Sequence, residues 1–316
     1  MSAKNQRFID LFAGIGGFHI AMESIGGECV FVSEWDKFAR LTYEHNFAKT
    51  NPSLFDGKGM GNETAAFVGD ITKVTDRLRN GEKAIPDFEV LTGGFPCQPF
   101  SQAGLKKGMD EARGTLFFDI LQILKSKIKE GNPVQAYFLE NVRGLINHRS
   151  GEESTLAIIK KNLEGLGYTF DYELVWASDH GVPQHRPRVF IYGFLDHQAR
   201  ERFIKPEKRE LKQTMSHVWG GKAHKDIGWT LRVGGRGSGI ADRRNWDCYI
   251  VDGETRRLGP KEGLKMQGFP KSFEFPEQIS ETQAMKQLGN SVAVPAIADW
   301  GRSIARALNW TGTDGH

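Results

Sequence analysis

Cys97 stands in the run Gly93-Gly94-Phe95-Pro96-Cys97-Gln98-Pro99-Phe100-Ser101, a turn stiffened by prolines on both sides. A thiol held this way is a nucleophile wherever its surroundings favour the thiolate. The other two cysteines, Cys29 inside an apolar run and Cys248, read as small packing residues. Glu140, in Glu140-Asn141-Val142, offers a carboxyl for acid–base work, and Arg186 and Arg188, in Gln184-His185-Arg186-Pro187-Arg188, offer fixed positive charge. A third group is the turn Phe12-Ala13-Gly14-Ile15-Gly16-Gly17, followed twenty positions after Gly14 by Glu34. Glycines there let backbone approach a ligand closely, and the carboxylate is placed to accept hydrogen bonds from ribose hydroxyls. The spacing is not that of a dinucleotide fingerprint, so an adenosyl cofactor fits better than NAD.

These groups need a frame. Short apolar runs at Phe8–Phe12, Cys29–Val32, Phe67–Val68, Phe88–Leu91 and Tyr137–Leu139 alternate with helical patterns at Thr115–Ile128 and Ser154–Leu166. Such alternation predicts an α/β domain around a largely parallel sheet. Tyr172–Ala177 and Arg188–Phe194 complete the sheet, and a helix opened by Pro295 returns to it. Each of the first five strands runs into a polar group: the Gly-rich turn, Glu34-Trp35-Asp36, Asp70, Phe95-Pro96-Cys97-Gln98, and Glu140-Asn141. Ligands of open parallel sheets bind at the carboxyl ends of the strands, so the five groups should converge on one site.

Bulk properties set the limits. A chain of 316 residues accommodates one large domain and a smaller one. We place the larger domain, which carries the strand-end groups, at 1–195 plus 285–316, and the small second domain with its hinge at 196–284. Three unevenly spaced cysteines build no disulfide framework, and no secretory or membrane-spanning run is present, which points to a cytoplasmic protein. Net charge is only +3, but residues 203–262 hold 13 Lys and Arg against 8 Asp and Glu. That excess suits a polyanion, though a solvated basic surface has the same composition.

The blocks Asp10–Gly17, Gly94–Ser101, Glu140–Val142, Gln184–Arg188 and Gly289-Asn290-Ser291-Val292, in this order, resemble the motif series of the DNA (cytosine-5)-methyltransferases, in particular the small bacterial restriction-modification members. The resemblance covers nearly the whole chain except about 200–228. One departure is that Arg257–Pro270 has Lys261, Gly263 and Lys265 where Arg, Cys and Arg are common in the family. The resemblance implies a Rossmann-like S-adenosylmethionine-dependent fold, S-adenosyl-L-methionine as cofactor, double-stranded DNA as substrate, and no metal. A monomer working beside a separate cognate endonuclease is the expected arrangement.

Cytosine C5 is too weak a nucleophile to attack a sulfonium methyl until a nucleophile has added at C6. Cys97 is the residue for that addition, and Glu140 is the candidate acid for ring N3. By resemblance Arg188 contacts the cytosine O2 and Arg186 orients the catalytic groups. The cofactor shell implied is Phe12, Ala13, Gly14, Gly16, Gly17, Glu34, Trp35, Asp70, Ile71, Phe95, Pro96, Leu116, Asn290 and Val292. A plain core role competes for Phe12 and Trp35. Residues Phe100–Gly114 resemble the family's mobile catalytic loop. The target base must be flipped out of the duplex to reach Cys97. DNA contacts are expected from Gln98 and Ser101, and from a Gly-Arg segment, Trp229–Arg244, carrying Arg232, Gly234, Gly235, Arg236, Arg243 and Arg244. Arginines there read guanine or bind phosphate only. A nicotinamide oxidoreductase leaves Cys97, Glu140 and the arginine pair without a use. A non-catalytic DNA-binding protein has no need of them, and tRNA fits a compact Gly-Arg segment less well than duplex DNA.

Overall fold

The computed structural model describes residues 6–56, 63–96 and 116–311. In chain order the sheet-forming segments are β1 (Arg7–Leu11), β2 (Glu28–Ser33), β3 (Phe67–Val68), β4 (Val90–Gly93), β5 (Ala136–Val142), the short pair β6 (Arg149–Ser150) and β7 (Glu153–Ser154), β8 (Asp171–Trp176), β9 (Gln184–His185), β10 (Pro187–Phe194), β11 (Gly228–Trp229), β12 (Cys248–Val251) and β13 (Glu254–Arg257). The helices are α1 (Gly17–Glu23), α2 (Lys37–Phe47), α3 (Ile71–Arg79), α4 (Leu116–Lys129), α5 (Thr155–Glu164), α6 (His197–Arg202), α7 (Met215–Trp219), α8 (Pro260–Gln267), α9 (Glu281–Asn290) and α10 (Val294–Ala307).

The main sheet has the order β3-β2-β1-β4-β5-β10-β8. The first five are joined by parallel pairings, whereas β10 runs antiparallel to both β5 and β8. Every strand run expected from the sequence is therefore in one sheet. The sheet is buried on both faces, which is why its strands read as continuous apolar runs. On β1, Phe8 packs into the core under α1, α2 and α10, while Ile9 and Leu11 enter the core under α3, α4 and α5. Tyr137, Phe138 and Leu139 on β5 alternate in the same way.

α10 opens with Pro295 in its first turn and closes against the sheet through Trp300, whose ring meets Phe190 and Tyr192. Gly301 lets α1 approach: a Cβ there would stand 2.9 Å from Met22 Sδ. α6 belongs to the same layer, since Arg202 Nε donates to Ala307 O and Phe203 packs on Tyr192 and Phe194. Beyond it, α7, the β12–β13 hairpin, α8 and α9 surround Met215, Leu231, Trp246, Tyr249 and Met266. These residues are continuous with the α1–α10 core. Cys29 and Cys248 are both buried and unpaired. No described helix is long and apolar enough to cross a membrane.

Candidate active site

The Gly-rich turn begins one residue earlier than its apolar run implies. β1 ends at Leu11, and Phe12 takes a positive φ of 56°, a conformation few non-glycine residues adopt. Ala13 N donates to Ser33 O and Gly16 N to Ala13 O, closing the turn onto β2. The glycines have different jobs. A Cβ on Gly16 would come within 2.3 Å of the Phe47 ring, and one on Gly17 within 2.6 Å of Val292 Cγ2. Gly14, with φ +57°, meets nothing within 4 Å because it faces a cavity.

That cavity, about 1120 Å³, lies over the carboxyl ends of the strands. Of the residues expected to hold a cofactor, Phe12, Gly14, Glu34, Trp35, Asp70, Phe95, Pro96, Leu116 and Asn290 line it. Ala13, Gly16, Gly17, Ile71 and Val292 do not; Gly16 packs on Phe47 behind the wall and Gly17 on Val292. Glu34 accepts from Gly14 N at 2.7 Å through Oε2 and from Asp36 N at 2.6 Å through Oε1. It thus fixes the turn and the start of α2 together. Burial pushes its carboxyl above the ordinary range, with the two amides working against that shift. Trp35 is 74% exposed, which removes the core role that competed for it. Asp70 caps α3, its Oδ1 accepting from Thr72 N and Thr72 Oγ1.

Glu140 and Arg188 are cross-strand neighbours on one wall. Glu140 lies in the buried part of β5 and Arg188, second residue of β10, stands diagonal to it, with Arg188 Nε 2.7 Å from Glu140 Oε1. The contact is an ion pair not aligned as a hydrogen bond, since Oε1 has no hydrogen-bonding partner. Arg186, 2% exposed, donates to Leu231 O, Gly289 O and Ser291 O. Burial, with Arg188 nearby, lowers its pKa well below the arginine norm. Asn141 Nδ2 donates to Phe95 O at 2.9 Å and so pins the turn that leads to position 97. Cys97, Gln98, Ser101 and the whole of Phe100–Gly114 lie outside the described residues.

The Gly-Arg segment divides. Arg232 lines the cavity and, with Arg243, is exposed. Gly234 and Gly235 are exposed as well. Arg236 is committed elsewhere: it pairs with Glu281 at 2.8 Å and Asp247 at 3.6 Å, and donates to Leu258 O. Arg244 pairs with Asp242 at 2.8 Å on the surface. Sequence reasoning passed over Asp76, Arg79 and Asp119, which extend the cavity between α3 and α4. Their only signal was an i, i+3 pair, Asp76 and Arg79, on the face of a helix. It also missed the bond from Lys286 to Asp36, 3.0 Å, which ties α9 to α2 across the rim.

The sequence model of the C-5 cytosine-specific DNA methylase family matches residues 6–232 and 221–306. The chain belongs to this family. It is 38% identical to the Type II methyltransferase M.SsoII of Shigella sonnei, covering 96% of this chain and 81% of that one. It is 32% identical to M.HhaI of Haemophilus parahaemolyticus, with 96% and 95% covered. Among solved structures, S. pombe Dnmt2 methyltransferase shares the fold, with a TM-score of 0.65 at 17% identity over 96% and 99% of the two chains. The methylase therefore acts on DNA and takes S-adenosylmethionine as its cofactor. The cavity suits that molecule. Gly14 leaves open space, Trp35 presents an uncovered indole face, and each Glu34 oxygen, with one amide bonded, has acceptor capacity left for a ribose hydroxyl.

Proposed function

We propose that this methylase modifies C5 of a cytosine flipped out of a specific duplex sequence, through a Cys97 adduct at C6. We further propose that it works as a cytoplasmic monomer in a restriction-modification pair, beside a separate endonuclease. The observation that carries the reading is that the Glu140–Arg188 pair lines the same cavity as Phe12, Glu34 and Trp35. A base and a nucleoside cofactor fit side by side there.

S-adenosylmethionine supplies an electrophilic methyl group on a positively charged sulfur. The protein must make cytosine C5 nucleophilic toward it. Cys97, as thiolate, adds to C6, and the electron pair displaced toward N3 is met by a proton from Glu140. Arg188, fixed on the same wall, holds the Glu140 carboxyl in place and directs positive charge toward the ring oxygen. Once C5 carries the methyl group, its hydrogen leaves as a proton to water. The Cys97 sulfur is then eliminated as thiolate, N3 returns its proton to Glu140, and ring aromaticity is restored. Asn141 serves this sequence indirectly by holding the Phe95 carbonyl, and with it the approach of the Cys97 turn.

The test is a duplex with 5-fluorocytosine at the target. Fluorine cannot depart as a cation, so the last elimination is blocked and Cys97 stays bonded to C6. A denaturing gel should show a shifted band that requires S-adenosylmethionine and is lost in Cys97→Ser but kept in Cys29→Ser and Cys248→Ser. A band surviving in Cys97→Ser moves the nucleophile elsewhere.

A further inference from the structure

Leu231 immediately precedes Arg232 and is held by an unusual set of side chains. Its amide donates to Gln184 Oε1 at 3.1 Å, and its carbonyl accepts from Arg186 Nη1 at 3.3 Å. Both holders are buried, Gln184 completely. Just upstream, Gly228 and Trp229 of β11 pair in parallel with Gln184 and His185 of β9, and Thr230 Oγ1 donates to His185 O. Residues 228–231 are therefore zipped along 184–186, first by backbone and then by side chains. One residue after Arg186 the chain enters β10, which presents Arg188 to Glu140. The other hand of Gln184, Nε2, donates to Met266 O at 3.1 Å in α8. On the far side, Gly289 lies so close to the Arg232 backbone that a Cβ would come within 2.5 Å of it. The root of the Arg232 loop thus has no slack on either side.

We propose that Gln184 is a positioning residue that couples target reading to catalysis: through Leu231 it ties the Arg232 loop to the strand carrying Arg188. The proposal rests on the reading of 229–244 as the DNA-recognition segment. When the loop settles on its target, the displacement passes through Leu231 to 184–188 and sets the Glu140–Arg188 pair. On a wrong sequence the loop does not settle, and the pair stays unset.

The test compares single-turnover methyl transfer, at saturating S-adenosylmethionine, on the duplex site found by bisulfite sequencing and on a duplex with one base pair of that site changed. Gln184→Met keeps the volume and removes both hydrogen bonds. It should slow the correct site about tenfold, the upper end for one buried hydrogen bond, while leaving the altered site unchanged. Discrimination falls by the same factor. Gln184→Glu keeps the acceptor for the Leu231 amide and should recover most of the rate. Thr230→Val, at a half-buried position where a fold defect is small, should shift discrimination the same way by about threefold, as expected for a weaker bond. Parallel slowing of both sites, equal damage in Gln184→Glu and Gln184→Met, or no change in Thr230→Val would overturn the coupling. Arg232→Ala separates the two failures. If it leaves DNA affinity and site choice intact, the recognition reading is wrong; if it alters them while Gln184→Met does not, only the coupling is wrong.

Discussion

Replacing Glu140 by Gln removes one proton donor and one negative charge while keeping shape. The carboxylate lies 2.7 Å from Arg188 Nε, with the two side chains 10% and 16% exposed. At an effective dielectric constant of about 20 the gross attraction at that distance is about 6 kcal/mol, most of it offset by desolvation. Breaking a largely buried pair costs about 3–5 kcal/mol, and this one opens on a cavity, so the melting experiment should report about 3 kcal/mol. Part of the cost comes from Arg186, whose buried guanidinium then shares the region with an uncompensated Arg188. The catalytic loss is separate. An amide cannot protonate N3, and general acid assistance is worth about 10²–10⁴ in rate, or about 3–5 kcal/mol of barrier. Single-turnover transfer from tritiated S-adenosylmethionine at saturating DNA reads it directly. Cofactor affinity should hold within about twofold, because Glu34 and its turn do not depend on Glu140; that figure is about 0.4 kcal/mol. A variant within tenfold of the parent rate would take Glu140 out of the mechanism, whatever its stability.

Arg232→Ala should leave the melting temperature alone and flatten the salt dependence of DNA binding, by about 0.9 in the slope of log K against log salt for a phosphate contact. Arg236→Ala should do the reverse, lowering stability by about 1–2 kcal/mol through loss of its Asp247 and Glu281 contacts, with thermal melting and filter binding separating the two variants. Affinity for S-adenosylmethionine should fall on acidification, starting above the ordinary glutamate value of about pH 4.3, because burial raises the Glu34 carboxyl and the protonated form loses acceptors for the ribose. The folded state binds that proton more tightly than the unfolded chain does. Its contribution to stability is therefore present at low pH and lost as pH rises through the folded value, opposite to the binding trend. Titration calorimetry from pH 5 to 8 checks the binding, and Glu34→Gln should abolish the pH dependence.

The sheet was legible because both its faces are covered, so each strand appears as an apolar run ended by a polar group. Phe8, Phe31, Tyr137 and Phe190 all fall where those runs predict. The strand-end rule then located the cavity without any side-chain information. Legibility ends where a residue's partner is distant in sequence. Nothing local marks Arg236 as a strut, since Asp247 and Glu281 lie 11 and 45 positions away. The division among Gly14, Gly16 and Gly17 was hidden for the same reason: only the packing of Phe47 and Val292 shows which glycine faces the ligand. Val292, expected in the cofactor shell, spends its side chain on Gly17 instead.

The basic excess of 203–262 has to be recounted in three dimensions before it is assigned to DNA. Lys205, Lys208, Arg209, Arg236, Arg244, Arg256 and Arg257 each have an acidic partner. Several of these pairs, such as Arg209 with Asp299 and Lys205 with Glu173, brace the segment against the catalytic layer. Among the described residues of the Gly-Arg segment, Arg232 and Arg243 have no acidic partner. They are the cations left to meet phosphates or bases. The departures in Arg257–Pro270 have a structural account of the same kind. Lys265 Nζ donates to Val218 O at 2.8 Å, and Gly263 is where α8 meets α9, since a Cβ there would stand 2.7 Å from Leu288 Cδ1. Gly263 and Lys265 therefore lie on the packing between α7, α8 and α9, Lys261 is exposed, and none of the three lines the cavity that carries Glu140, Arg186 and Arg188. On the proposed reading of 229–244 as the recognition segment, most of the charges of 203–262 hold it in place and few are left to face DNA. That is the arrangement needed if the reading of one base pair is to be felt at Arg188.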